Sequence, residues 1–81
     1  MDKRIFGHAL SLIMHDAFGN WEDNANAIEI DILEVWELDI KLKGLLILQG
    51  QNDEPVNFPR VHHMTAAEFV QNMRQTYGFE P

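Results

Sequence analysis

The chain has 81 residues and a mass of 9.4 kDa, which is room for one domain with a modest core. Its 13 acidic and six basic side chains give a net charge of −7, which opposes direct binding to nucleic acid or to an anionic membrane. Cysteine is absent, so disulfides, thiolate catalysis and Cys-ligated metals are excluded, and a reducing compartment is expected.

The N-terminal apolar stretch does not resemble a secretory signal. His8 interrupts it, and His15 and Asp16 follow where a cleavage site would stand. The longest aliphatic run, Leu45–Leu48, is far shorter than the ~20 residues of a membrane-spanning helix. We therefore expect a cytoplasmic protein with no membrane partner.

Residues 3–18 are predicted to form an amphipathic helix. Asp2 is a suitable N-cap, and Gly19 stands where a left-handed C-terminal cap is expected. Apolar residues recur at helical spacing along this segment: Ile5, Phe6, Ala9, Leu10, Ile13, Met14 and Ala17.

Apolar and charged residues alternate over Ile28–Ile32 and again over Trp36–Leu42, which is typical of half-buried strands. The apolar residues of both pieces are even-numbered, so Trp36 is predicted to lie in the core. No Gly, Pro or Asn occurs between Ala27 and Gly44. The pattern therefore leaves two alternatives, one long bent strand or a hairpin through Glu34–Glu37.

Lys43-Gly44 is predicted to form a tight turn that leads into a strand over Leu45–Leu48. In that register Leu46 and Leu48 face away from the other apolar positions. A strand that is apolar on both faces is central, covered twice or part of an interface. Val56–His62 is a further candidate strand, restricted to a sheet edge by Pro59.

The last predicted element is a helix over residues 66–77. Thr65-Ala66-Ala67-Glu68 is a capping box, and Met64 and Phe69 stand at the positions of a hydrophobic staple. In sum, we expect one α+β domain over residues 1–81. It would have two layers, with an N-terminal helix, an antiparallel sheet of three to four strands and a C-terminal helix.

No catalytic, metal or cofactor site is predicted, so we expect a protein that is not an enzyme. Ser11, Thr65 and Thr76 are the only aliphatic hydroxyls, and none lies in a nucleophile motif. His8 and His15 are about 10 Å apart along a helix, too far to share a zinc ion. His62 and His63 are adjacent and would point to opposite faces of an extended chain.

The strongest functional signal is a run of acidic residues between positions 22 and 39, where no Lys or Arg occurs. Carboxylates two residues apart on a strand would stand about 6.6 Å apart on one face. Such a face is either a solvated sheet surface or a docking surface for a basic partner. Trp21 beside it either seals the core edge or contacts that partner. The acidic candidates are Glu22, Asp23, Glu29, Asp31, Glu34, Glu37 and Asp39.

These features favour a small acidic interaction protein that docks its Glu/Asp-rich sheet face on a basic, nucleic-acid-binding protein surface and inhibits it. Phage-encoded inhibitors, including anti-CRISPR and antirestriction proteins, are similar in size and charge, which is an analogy of type without a shared motif. A phage-encoded protein would act in the cytoplasm of a bacterial host. The alternative is a self-associating structural or assembly protein that forms a homodimer through Leu46 and Leu48.

Overall fold

The computed structural model describes residues 2–51 and 63–79, and the candidate strand Val56–His62 lies outside them. The described part is α+β and begins with a helix, as predicted, but its sheet has two strands and not three to four. A middle helix replaces the strands expected between residues 32 and 48. The elements are helix α1 (Lys3–Phe18), a 3-10 helix (Glu22–Asn24), strand β1 (Glu29–Asp31), helix α2 (Ile32–Leu48), strand β2 (His63–Thr65) and helix α3 (Ala66–Thr76).

Helix α1 is confirmed at both ends. The Asp2 carboxylate accepts the backbone N–H of Arg4 at 2.9 Å, and this N–H holds the pKa of Asp2 below its ordinary value. Gly19 ends the helix at a φ of 66°, and its N–H donates to the carbonyl of His15 at 2.9 Å. The buried side of α1 carries Phe6, Ala9, Leu10, Ile13 and Met14.

Helix α3 begins with the predicted capping box. The Thr65 hydroxyl accepts the N–H of Glu68 at 3.2 Å, and the Glu68 carboxylate accepts the N–H of Thr65 at 3.1 Å. This backbone N–H of Thr65 lowers the pKa of Glu68. Met64 and Phe69 are both buried, in keeping with the predicted staple.

The strand prediction over Ile28–Leu42 is wrong except at Glu29–Asp31. Helix α2 starts directly after β1, because the Asp31 carboxylate accepts the N–H of Glu34 at 2.9 Å and caps the helix. Glu34–Glu37 is therefore neither a bend nor a hairpin turn, since it lies in the first turns of α2.

The predicted turn and second strand are also replaced by α2. Lys43 and Gly44 lie inside the helix, and Leu45–Leu48 is its last turn. A helix can carry apolar residues at alternate positions when two of its faces are apolar. In α2 one such face turns inward and the other turns outward, which together imitate the period of a strand.

The two strands form a short antiparallel ribbon under the helices. Ile30 pairs with Met64, and both side chains are buried. Tyr77 and Phe79, which follow α3, pack on Phe6 of α1 with ring centroids 5.3 and 4.6 Å away. In residues 2–51 and 63–79, no helix has the length and apolar character needed to cross a membrane. Among the described residues, the core consists of Phe6, Ala9, Leu10, Ile13, Met14, Ile30, Val35, Leu38, Leu42, Leu46, Met64, Ala66, Phe69, Val70 and Met73.

Candidate functional site: an acidic segment and an apolar helix face

Six of the seven acidic candidates are exposed along one continuous stretch of chain. Two lie in the 3-10 helix, two flank the buried Ile30 in β1, and two lie in the first turns of α2. We call these six residues the acidic segment: Glu22, Asp23, Glu29, Asp31, Glu34 and Glu37.

Asp39 does not belong to this surface. It is only 2% exposed and turns into the protein, where Lys43 Nζ lies 3.0 Å from its Oδ2 and the Tyr77 hydroxyl donates to its Oδ1 at 3.3 Å. The prediction assumed a strand, in which Glu37 and Asp39 share a face. In a helix, side chains two positions apart point in directions about 160° apart around the axis, so Glu37 faces solvent while Asp39 is buried.

Ion pairs neutralise little of the acidic segment within the described residues. Glu22 lies 3.6 Å from His15, and Glu29 lies 3.8 Å from His63 on the neighbouring strand. A histidine offsets a carboxylate only when it is protonated. Asn20 donates to Asp23 at 2.7 Å, which orients that carboxylate without removing its charge.

Trp21, the aromatic candidate beside the acidic segment, is half-buried and packs against the core. Its ring meets His15 edge-on with centroids 6.4 Å apart. Its indole Nε1 is buried, and within the described part of the chain it has no hydrogen-bond partner. Most of this side chain therefore faces the protein interior.

Trp36 shows the opposite behaviour. It was predicted to lie in the core, yet it is 51% exposed on α2. Leu33, Ile40 and Ile47 are 64, 67 and 61% exposed and stand at helical spacing on the same side. We call Leu33, Trp36, Ile40 and Ile47 the outer face of α2.

The spacing of the outer face is three, four and seven residues, which is a helical repeat visible in the sequence. Strand alternation between Trp36 and Leu42 hid this repeat. Val35, Leu38, Leu42 and Leu46 form the buried face of the same helix. The two faces lie about 145° apart around the helix axis.

The two residues proposed for self-association, Leu46 and Leu48, lie on different sides of α2. Leu46 is 2% exposed and belongs to the core, so its prediction as an interface residue is wrong. Leu48 is 81% exposed at the end of α2. It borders an open groove of about 660 Å³ between α1 and α2, to which Leu12 and Leu45 contribute apolar surface.

Metal-ligating side chains do not gather in the described residues: no three or more His, Asp or Glu lie close enough there to hold an ion. Two surface features of the described residues are therefore considered for binding, the acidic segment and the outer face of α2. Comparisons of the chain with models of protein families, with curated protein sequences and with solved structures give no match.

Proposed function

We propose that this protein is a non-enzymatic interaction protein that binds a basic protein surface and inhibits it by covering it. The observation that carries the proposal is the acidic segment, six exposed carboxylates within residues 22–37. Among the described residues only histidines stand within ion-pair distance of these six. Like charges held together raise the free energy of the unbound protein, and a partner rich in Lys and Arg relieves that repulsion.

Nucleic-acid-binding proteins present such basic surfaces, so they are the proposed class of partner. In this respect the protein is similar in type to phage-encoded anti-CRISPR and antirestriction inhibitors, which are also small and acidic. Binding of this kind is steered by charge, so its association rate should fall steeply as salt is added.

The test has two steps. The immobilised protein captures a partner from a lysate of its source or host, and a salt gradient elutes that partner for identification. The affinity of the purified partner is then measured for wild type and for a variant with Glu22→Gln, Asp23→Asn, Glu29→Gln and Asp31→Asn. Asn at position 31 still caps α2. At about 0.2–1 kcal/mol for each exposed charge, we expect affinity to fall about 4- to 1,000-fold.

A control variant separates this surface from overall charge. Asp16→Asn, Asp53→Asn, Glu54→Gln and Glu80→Gln remove the same four charges from the net −7 but leave the acidic segment intact. We expect the control to bind almost as well as wild type. Equal losses in the two variants would show that only net charge matters and would refute the proposed docking surface.

The alternative function, self-association, must use a different surface from the one predicted. Leu46 is in the core, so the pair Leu46 and Leu48 is not available as an apolar patch. The outer face of α2 is exposed instead. Self-association through that face leaves Glu22, Asp23 and Glu29 accessible, so the two functions are compatible.

A further inference from the structure

We infer that the outer face of α2 binds the outer face of a second copy of this chain, with the two α2 helices antiparallel. The four side chains of the face are each more than half exposed. Isolated exposed apolar residues are ordinary, but an aligned row on one helix is the pattern of a helix–helix seam. This inference does not depend on the proposed function.

The spacing of the face fits a two-fold axis through Ile40. Leu33 and Ile47 lie seven residues on either side of it, so in an antiparallel pair Leu33 of each copy lies level with Ile47 of the other. Trp36 and Gly44 lie four residues on either side, so each indole lies level with a glycine. Apart from its chain neighbours and the backbone of its own helix, a Cβ added at Gly44 would meet no atom within 4 Å, which leaves room for a neighbour.

Charge along α2 also favours an antiparallel second copy. The first turns carry Glu34 and Glu37, whereas the second half carries Lys41 and Lys43 and no acidic residue. Reversing one helix places the acidic half of each copy against the basic half of the other. A parallel pair would instead align like charges along the whole seam. Lys43 also pairs with Asp39 of its own chain, so Lys41 is the more available partner.

The surface is large enough for a specific contact. The four residues of the outer face expose on the order of 400 Å² of apolar surface, as much as the largest such patches on typical monomers. Two copies would bury about 800 Å² of apolar side chain. Flanking side chains bring the total near the ~1,200 Å² lower bound of specific interfaces.

The antiparallel arrangement moves the acidic segments apart. Four residues of each segment, Glu22, Asp23, Glu29 and Asp31, lie before α2 begins, so these residues of the two copies lie towards opposite ends of the paired helices. Each chain carries a net charge of −7, and the greater distance between these carboxylates reduces the repulsion between the two copies. The pair therefore presents two separate acidic surfaces.

The first experiment measures the mass of the protein in solution by sedimentation from micromolar to millimolar concentration. We expect wild type to reach twice 9.4 kDa. Ile40→Glu places two carboxylates together on the axis and should weaken association at least about a hundredfold. Leu12→Glu, which adds the same charge at an exposed leucine of α1, should leave the dimer intact.

The second experiment uses the absence of cysteine to test orientation. Leu33→Cys and Ile47→Cys are prepared separately and oxidised alone or mixed. In the antiparallel pair position 33 meets position 47 of the other copy, while two copies of position 33 lie about 21 Å apart along the axis. We expect disulfide-linked dimer from the mixture and not from either variant alone.

Circular dichroism checks that every variant keeps the helical content of wild type. A mass of 9.4 kDa for wild type at millimolar concentration would overturn the inference, even if the face captured some other protein. Dimerisation of Ile40→Glu as strong as that of wild type would do the same. Cross-linking of each cysteine variant with itself would show a parallel pair and refute the antiparallel one. None of these outcomes bears on the binding measured with the acidic variants.

Discussion

Leu46 and Leu48 allow a direct test of which side of α2 faces the core, because both are leucines and they lie only two positions apart. Leu46 is 2% exposed and Leu48 is 81% exposed. Replacing a buried leucine by alanine removes its transfer free energy and leaves a cavity, which together cost about 2–5 kcal/mol. Leu46 lies in the last turn of α2, where relaxation is easiest, so we expect about 2.5 kcal/mol for Leu46→Ala.

That loss is a large share of the total for a domain of this size, whose stability is about 4–12 kcal/mol. Urea unfolding followed by circular dichroism measures it as a midpoint about 2 M lower, and thermal unfolding as a Tm at least about 10 °C lower. Leu48→Ala should stay within about 0.5 kcal/mol of wild type. Both proteins are compared at low micromolar concentration, so that self-association does not contribute.

Equal destabilisation by Leu46→Ala and Leu48→Ala would refute the reasoning. That result is what a central strand covered on both faces would give, since alternate residues of such a strand are buried equally. A variant Leu46→Ala too unstable to fold, beside a fully folded Leu48→Ala, would agree with the helix.

Three further predictions concern single contacts. Tyr77→Phe removes the hydroxyl that donates to buried Asp39, and chemical denaturation should show stability lower by about 0.5–1.5 kcal/mol; an unchanged midpoint would mean that the bond contributes nothing. The pKa of Glu68 is lowered in the folded protein, so its carboxylate stabilises the fold at pH values above the ordinary pKa of 4.5. This stabilisation is lost as the pH falls through the pKa of Glu68 in the folded protein. Wild type should therefore be more stable than Glu68→Gln at neutral pH, and the two should converge in acid; a constant difference would argue against the capping box. Gly7 lies in α1 with open space around the position of an added methyl, so Gly7→Ala should raise the free energy of unfolding by about 0.5–1 kcal/mol. A lower free energy of unfolding in this variant would contradict the open space at Gly7.

The sequence predicts α1 and α3 well because their ends carry local signals. Asp2, Gly19 and the Thr65–Glu68 capping box act within a few residues of the backbone groups that they satisfy. Their apolar residues also keep to one side, so the helical period is visible. Neither signal depends on the rest of the fold.

Helix α2 was missed because its apolar residues occupy two faces. Trp36 and Ile40 point outward while Leu38 and Leu42 point inward, and in sequence these four alternate with charged residues as a strand would. Two local signals pointed to the helix. Asp31 stands three residues before Glu34 as a cap, and the turn-free stretch is much longer than an ordinary strand.

The exposure of six of the seven acidic candidates is easier to predict from the sequence than the fold around them. Exposure of Glu22, Asp23 and Glu34 follows from charge alone, whatever element carries them. Asp39 was misplaced because its direction depends on helical phase. Its partner Tyr77 lies 38 positions away, in a contact that no local pattern in the sequence reveals.

The buried contacts of Asp39 bear on which face of α2 packs against the core. With two apolar faces, the helix could bury either one, and hydrophobicity alone distinguishes poorly between the two rotations. Turning the outer face inward would separate Asp39 from the Tyr77 hydroxyl and carry Lys43 towards the core, where its charge would lack water. We therefore expect the contacts of Asp39 to favour the orientation of α2 in which the outer face remains on the surface.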